Sequence, residues 1–160
     1  MEDFILYKAF PSGGKVFLMN GLDKTSSDYN DLLSIACCFA RAGREVRVLA
    51  PVHFRDPLYV RVFGSLIGTR YERKCPDLLI DGVFFEYESF IRPFSPGKIS
   101  DMLTRGSLQS DSIIIDLRDS STQPHHIKRQ IINKLRDPSF ERSITNVWSY
   151  NGQTLNEEWK

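Results

Sequence analysis

Three carboxylates, Asp77, Glu86 and Glu88, stand in an otherwise largely apolar stretch, KCPDLLIDGVFFEYESF, at positions 74–90. An Asp-Gly pair between apolar runs is the strongest short-range signal for a two-residue hairpin. Placed at Asp81-Gly82, that turn sets Ile80 opposite Val83, Leu78 opposite Phe85 and Asp77 opposite Glu86. Side-chain alternation then sends Asp77, Glu86 and Glu88 to one face, with Leu79 and Phe84 nearer the turn. Leu78, Ile80, Val83, Phe85 and Tyr87 fall on the other, wholly apolar face. Like charges directly opposite one another weaken a sheet. Three arrangements relieve them: a divalent cation between the acids, a base such as Lys98 or Arg105 reaching over, or a raised pKa on one carboxyl. Hard oxygen ligands on adjacent strands suit a Mg²⁺ ion that keeps waters for hydrolysis. The plain alternative is a set of acids solvated or ion-paired at a sheet margin.

Other residues could serve the same chemistry. Arg70, Arg73 and Lys74 precede Asp77 and could form a phosphate track, or simply a solvated charge run. His125 and His126 open a late helix beside Lys128 and Arg129. They could meet phosphate at its N-terminus, although the polar helix face is their default place. Trp148 and Tyr150 alternate on the last strand region, where core packing competes with base stacking. Cys37, Cys38 and Cys75 lack metal-ligand spacing and are expected as reduced thiols. The phosphate-binding glycine motifs of dinucleotide and nucleoside triphosphate sites are absent, as are a G-x-S-x-G elbow and a Cys–His nucleophile.

Positioning these groups calls for alternating strands and helices. Residues 3–8 and 15–19 read as short apolar runs around a PSGG turn. A helix capped by Thr25, Ser26 or Ser27 follows, with Leu32, Leu33, Ile35, Ala36, Phe39 and Ala40 inward and Gly43 as its stop. EVRVLAP (45–51) alternates as a strand, and 57–72 is open between helix and strand. After the hairpin come a helix through Ile99, Met102 and Leu103 ending at Gly106, and a buried strand at 112–117. An amphipathic helix then places Ile127, Ile131, Ile132 and Leu135 inward, and a hairpin closes the chain around Asn151-Gly152. The expected fold class is α/β or α+β: a mixed central sheet with a central hairpin at about 77–88, flanked by helices.

The bulk composition narrows the classes. The chain has 160 residues and a formal net charge of +1, which suits one domain with a single core and advertises no polyanion binding except by a local patch. No apolar stretch approaches the ~20 residues of a membrane span. The opening MEDFILYKAF carries acids where a secretory signal carries bases, so a cytoplasmic location is expected.

The ordered features of 74–120 resemble a known family. CPDLLIDGVFFEYES followed by KISDMLTRGSLQSDSIIIDL is similar to the PD-(D/E)XK nuclease core, in particular the C-terminal tRNase domain of bacterial contact-dependent inhibition toxins. That domain, with its phage and polymorphic-toxin relatives, runs Pro-Asp, Asp/Asn-Gly turn, Glu-x-Lys, helix, Gln and buried strand. The resemblance implies a restriction-endonuclease-like fold, Asp77 and Glu86 as Mg²⁺ ligands, and Gln109 as a polar contact at the helix end. The family lysine falls on Glu88, a departure. A glutamate would serve there as a base or a further metal ligand, and Lys98 or Arg105 would have to supply the missing positive charge. The expected function is metal-dependent hydrolysis of a nucleic-acid phosphodiester, RNA or tRNA ahead of DNA. Its competitor is a catalytically inactive accessory protein that binds a basic partner through its acidic face.

Overall fold

A computed structural model describes residues 2–160, which divide into two compact units, one up to Phe84 and one from Phe85 to Lys160. Among the described residues, eight strands and four α-helices make a mixed α/β fold.

In the first unit, β1 (Phe4–Ala9) pairs antiparallel with β2 (Lys15–Met19), β2 runs parallel to β3 (Glu45–Val48), and β3 pairs antiparallel with β4 (Leu78–Ile80). The register lines up Val16, Val46 and Ile80 in one row and Leu18, Val48 and Leu78 in the next, all buried. Helix α1 (Tyr29–Arg41) packs on β2, β3 and β4 and buries Leu32, Ile35, Ala36, Phe39 and Ala40. A second cluster gathers Met19, Leu49, Tyr59, Phe63 and Tyr71 with Phe4 and Phe84. Tyr59 and Phe63 come from α2 (Pro57–Phe63), which a short 3-10 turn over Gly64–Leu66 continues.

One boundary differs from the expected one, and one open stretch takes a definite form. Helix α1 starts at Tyr29 with Asp28 as its N-cap rather than at Thr25, Ser26 or Ser27, because Asp23 accepts from the N–H and hydroxyl of Thr25 and holds that segment in turns. The open stretch 57–72 begins as a helix because Asp56 caps Leu58 N–H at 2.9 Å while Pro57 fills the first turn. Asp81 and Gly82 both have positive φ, 47° and 83°. The Asp81 carboxylate accepts from Arg44 Nε at 2.8 Å and Glu45 N–H at 2.9 Å, tying the turn to the start of β3.

In the second unit, the part of β5 (Val83–Glu88) from Phe85 onward, β6 (Ser112–Asp116) and β7 (Asn146–Tyr150) run parallel, and β8 (Leu155–Trp159) returns antiparallel to β7. Every residue of β6 is buried, as its unbroken apolar run requires. Helices α3 (Gly97–Gly106) and α4 (Pro124–Arg136) pack together. Ile99, Met102, Leu103 and Ile131 meet Ile113, Ile115 and Val147 in one core cluster. The β7–β8 connection is wider than an Asn-Gly turn: Asn151 N–H donates to Thr154 O, and its side-chain oxygen accepts from the N–H groups of Gln153 and Thr154. Trp148 is half-buried and Tyr150 is 2% exposed, so this strand serves the core.

Candidate functional site

The acids are placed by β4 and β5. Asp77, half-buried, precedes β4 in the first unit, and its carbonyl accepts from Leu49 N–H at 2.9 Å. Glu86 and Glu88 lie in the second unit, registered with Ile113 and Ile115, which places them on the face that α3 and α4 cover. Leu78, Ile80, Phe85 and Tyr87 are buried as the alternation requires, whereas Val83 at the turn is 45% exposed.

Glu88 is the best-defined acid. Its carboxylate is only 13% exposed and pairs with Arg105 Nε of α3 at 3.2 Å, while Arg105 Nη2 donates to Ser89 O at 2.8 Å. One guanidinium thus holds both the side chain that ends β5 and the backbone just beyond it. Gly106, next in the helix, allows this approach: a Cβ there would lie 3.2 Å from Glu88 Cγ and 3.0 Å from Ile113 Cγ2. Of the two bases expected to reach the acids, Arg105 does so. Lys98 instead donates its ammonium to the carbonyl of Ile91.

The remaining candidates are separately placed. Arg70 is exposed, and Arg73 lies with its guanidinium 4.6 Å from the Phe54 ring centre. The Lys74 carbonyl accepts from Tyr59 Oη at 2.8 Å. Gln109 is half-buried just past α3, its N–H donating to Gly106 O. His125, His126 and Lys128 are exposed on the first turns of α4, the two imidazoles 4.1 Å apart and edge to face. Partial desolvation, then the charges of His125 and Arg129, push His126 below the ordinary imidazole pKa. The three cysteines are free thiols.

Among the described residues, no group of three or more His, Cys, Asp or Glu side chains is arranged to hold a metal ion. The bond from Arg105 places a fixed cation on Glu88, the position a divalent ion would take if Glu88 were its ligand. Glu88 therefore fits a magnesium ligand poorly.

A buried polar cluster in the same unit escaped the reading of the sequence. Asp116, the last residue of β6, is 3% exposed. It accepts from Tyr87 Oη at 2.7 Å and from Arg118 Nε at 3.0 Å, while Arg118 Nη2 lies 2.9 Å from the same carboxylate. The Arg118 guanidinium also lies 5.0 Å from the Tyr150 ring centre. These residues sit at the carboxyl ends of the parallel strands, the edge at which open α/β sheets place ligands. Together they form a clamp on the three strand ends. The available signal was an aspartate ending an all-apolar strand with an arginine two positions later, because a buried acid demands a paired base.

Among the described residues, no helix is long and apolar enough to cross a membrane. Comparison of the chain with family models, with curated proteins and with solved structures returned no match.

Proposed function

We propose that this chain is a nucleic-acid-binding protein of nuclease-like organisation in which Glu88 is a structural rather than a catalytic group. The observation that supports this reading is the Arg105–Glu88 pair at 3.2 Å. The resemblance of residues 74–120 to PD-(D/E)XK nucleases of the toxin tRNase kind expects a lysine at position 88 to act on the attacking water. Here the position holds an acid whose charge is already matched by a guanidinium, so neither a proton acceptor nor an extra cation is left to act there. Binding outlives hydrolysis in such a site, since it needs only positive charge and shape along the nucleic-acid backbone.

A second reading keeps hydrolysis, and the same residue favours it. Arg105 brings a positive charge to the Glu88 position, the compensation that loss of the lysine demands, with Glu86 on the same strand as a Mg²⁺ ligand that the resemblance implies. Incubating end-labelled tRNA, duplex RNA and duplex DNA with the protein in Mg²⁺ or Mn²⁺ separates the two. The first reading expects bound but intact strands. Metal-dependent cleavage that disappears in Glu86→Gln establishes the second. The variant Glu88→Lys adds a direct probe: metal-dependent cleavage gained by it would show that position 88 lacks only the family lysine.

A further inference from the structure

We infer that the outward row of α4 is the surface on which a nucleic-acid backbone lies, an inference that rests on the nucleic-acid reading above and assigns it a place.

Helix α4 has the sequence PHHIKRQIINKLR and contains Lys128, Arg129, Lys134 and Arg136 but no aspartate or glutamate. In a chain whose formal net charge is only +1, that is a concentrated local patch. The helix divides its residues cleanly. Ile131 is fully buried, and Ile127 and Leu135 pack on the second-unit core. Lys134 lies 4.6 Å over the Phe140 ring. His125, Arg129 and Arg136 fall within about 40° of one another around a 3.6-residue helix and form one solvent-facing row roughly 16 Å long. All three are exposed, with Lys128 bordering the row and His126 beside its start.

Asp137, adjoining the helix, keeps its charge and lies within the field of Lys134, so it offsets only part of the four positive charges of α4. Its carboxylate accepts from the N–H and hydroxyl of Ser139 at 2.9 and 2.8 Å. On β8, which packs against α4, Glu157 is engaged by Asn146 and Lys160 and Glu158 by Ser149. The depressed His126 pKa reports, after partial desolvation, the cationic neighbourhood of His125 and Arg129.

The chemistry of the row selects its partner. A membrane-surface helix needs a free apolar face, but the apolar face of α4 is committed to the core. No residue of α4 is among the exposed large apolar side chains. Guanidinium groups repeated along one straight line suit the repeated phosphates of a nucleic-acid strand, each able to take two parallel N–H bonds. The row contributes charge without base-reading geometry, so binding is independent of sequence and steeply dependent on salt.

The test is fluorescence anisotropy of labelled duplex RNA and single-stranded DNA across a salt series. It compares the full chain, a triple variant Lys128→Gln/Arg129→Gln/Arg136→Gln, and a charge-matched control Lys24→Gln/Arg41→Gln/Arg55→Gln. Circular dichroism and thermal melting verify that each variant folds. The triple variant is expected to lose at least tenfold in affinity at low salt. Its log–log salt slope should fall by about 2 to 3 with duplex, roughly 0.9 for each phosphate that is no longer neutralised. The control should stay within twofold. If the triple variant binds like the control, the α4 assignment is overturned while nucleic-acid binding stands. If the unaltered chain binds neither probe at low salt, the nucleic-acid reading itself falls. Displacement of RNA by polyglutamate at equal charge concentration would overturn the choice of partner in favour of acidic protein.

Discussion

At the scale of single residues, burial decides which charges are structural. Asp116 is buried with a phenol and a guanidinium on its two oxygens, and breaking such a buried pair costs about 3 kcal/mol or more. Asp116→Ala should therefore lower unfolding free energy by about 3 kcal/mol in a denaturant titration. Tyr87→Phe, which removes one bond to a charged group, should lower it by about 1.5 kcal/mol. If Asp116→Ala leaves the denaturation midpoint in place, the clamp is not structural. Gly106 gives a second test. A methyl group there meets Ile113 Cγ2 at 3.0 Å and Glu88 Cγ at 3.2 Å, so Gly106→Ala should cost about 1–2 kcal/mol despite alanine's better helix propensity. Much of this was legible beforehand. Glu86, Glu88 and Arg105 stood out because carboxylates in apolar company need an explanation. Asp116 did not, because one aspartate at the end of SIIID also looks like an ordinary strand terminator; Arg118 is a local partner, but Tyr87 meets it only once β5 and β6 are side by side.

At the scale of elements, hydrophobic period located the strands and helices, and polar side-chain bonds fixed their ends. Leu32 to Ala40 and Ile127 to Leu135 keep helical spacing; α1 buries the expected residues except the half-buried Leu33, whereas α4 buries only Ile131 and leaves Ile127, Ile132 and Leu135 half-buried. The helix start expected at Thr25–Ser27 moved to Tyr29 because Asp23 and Thr25 close a local turn that competes with a cap. α2 stayed ambiguous because seven residues are too few to show a period, although Asp56-Pro57 marks its start. Strand β1 carries an irregularity between Leu6 and Lys8 that alternation does not reveal. The PSGG turn carries a constraint that turn rules understate. An ideal Cβ on Gly14 would sit 1.8 Å from Ala40 O at the end of α1. Gly14→Ala should destabilise the first unit by about 3 kcal/mol or more, whereas Gly13→Ala meets no neighbouring atom within 4 Å and bears only the strain of a positive φ of 91°. Equal losses from the two variants, measured by thermal melting, would contradict this assignment.

At the scale of the whole molecule, charge links stability to pH and structure to function. Asp3 and Asp81 are held below the ordinary carboxylate pKa first by side-chain bonds from Arg61 and Arg44. Asp23 and Asp137 are lowered first by the Thr25 hydroxyl and the Ser139 N–H. A carboxyl with a depressed folded-state pKa adds stability that is complete above its unfolded pKa and disappears as pH falls through the folded value. Stability contributed by these groups should thus hold from neutrality to about pH 5 and decline below it. Asp81→Asn should flatten part of that decline, and an unchanged acid limb in this variant would exclude the Arg44 pair as a contributor.

The function class was the hardest level to read. The resemblance covers under a third of the chain, and its one departure, Glu88, falls where the chemistry would be decided. Whether the chain binds nucleic acid without cutting it is settled most directly by one titration. End-labelled duplex RNA is titrated with the protein in low-salt buffer containing Mg²⁺, anisotropy is read at each point, and the strand is then run on a denaturing gel. A binding protein with a structural Glu88 should give saturable binding that weakens linearly in log affinity with log salt, and a strand of unchanged length. A strand shortened by the unaltered protein but not by Glu86→Gln, or an anisotropy that never rises, would contradict it.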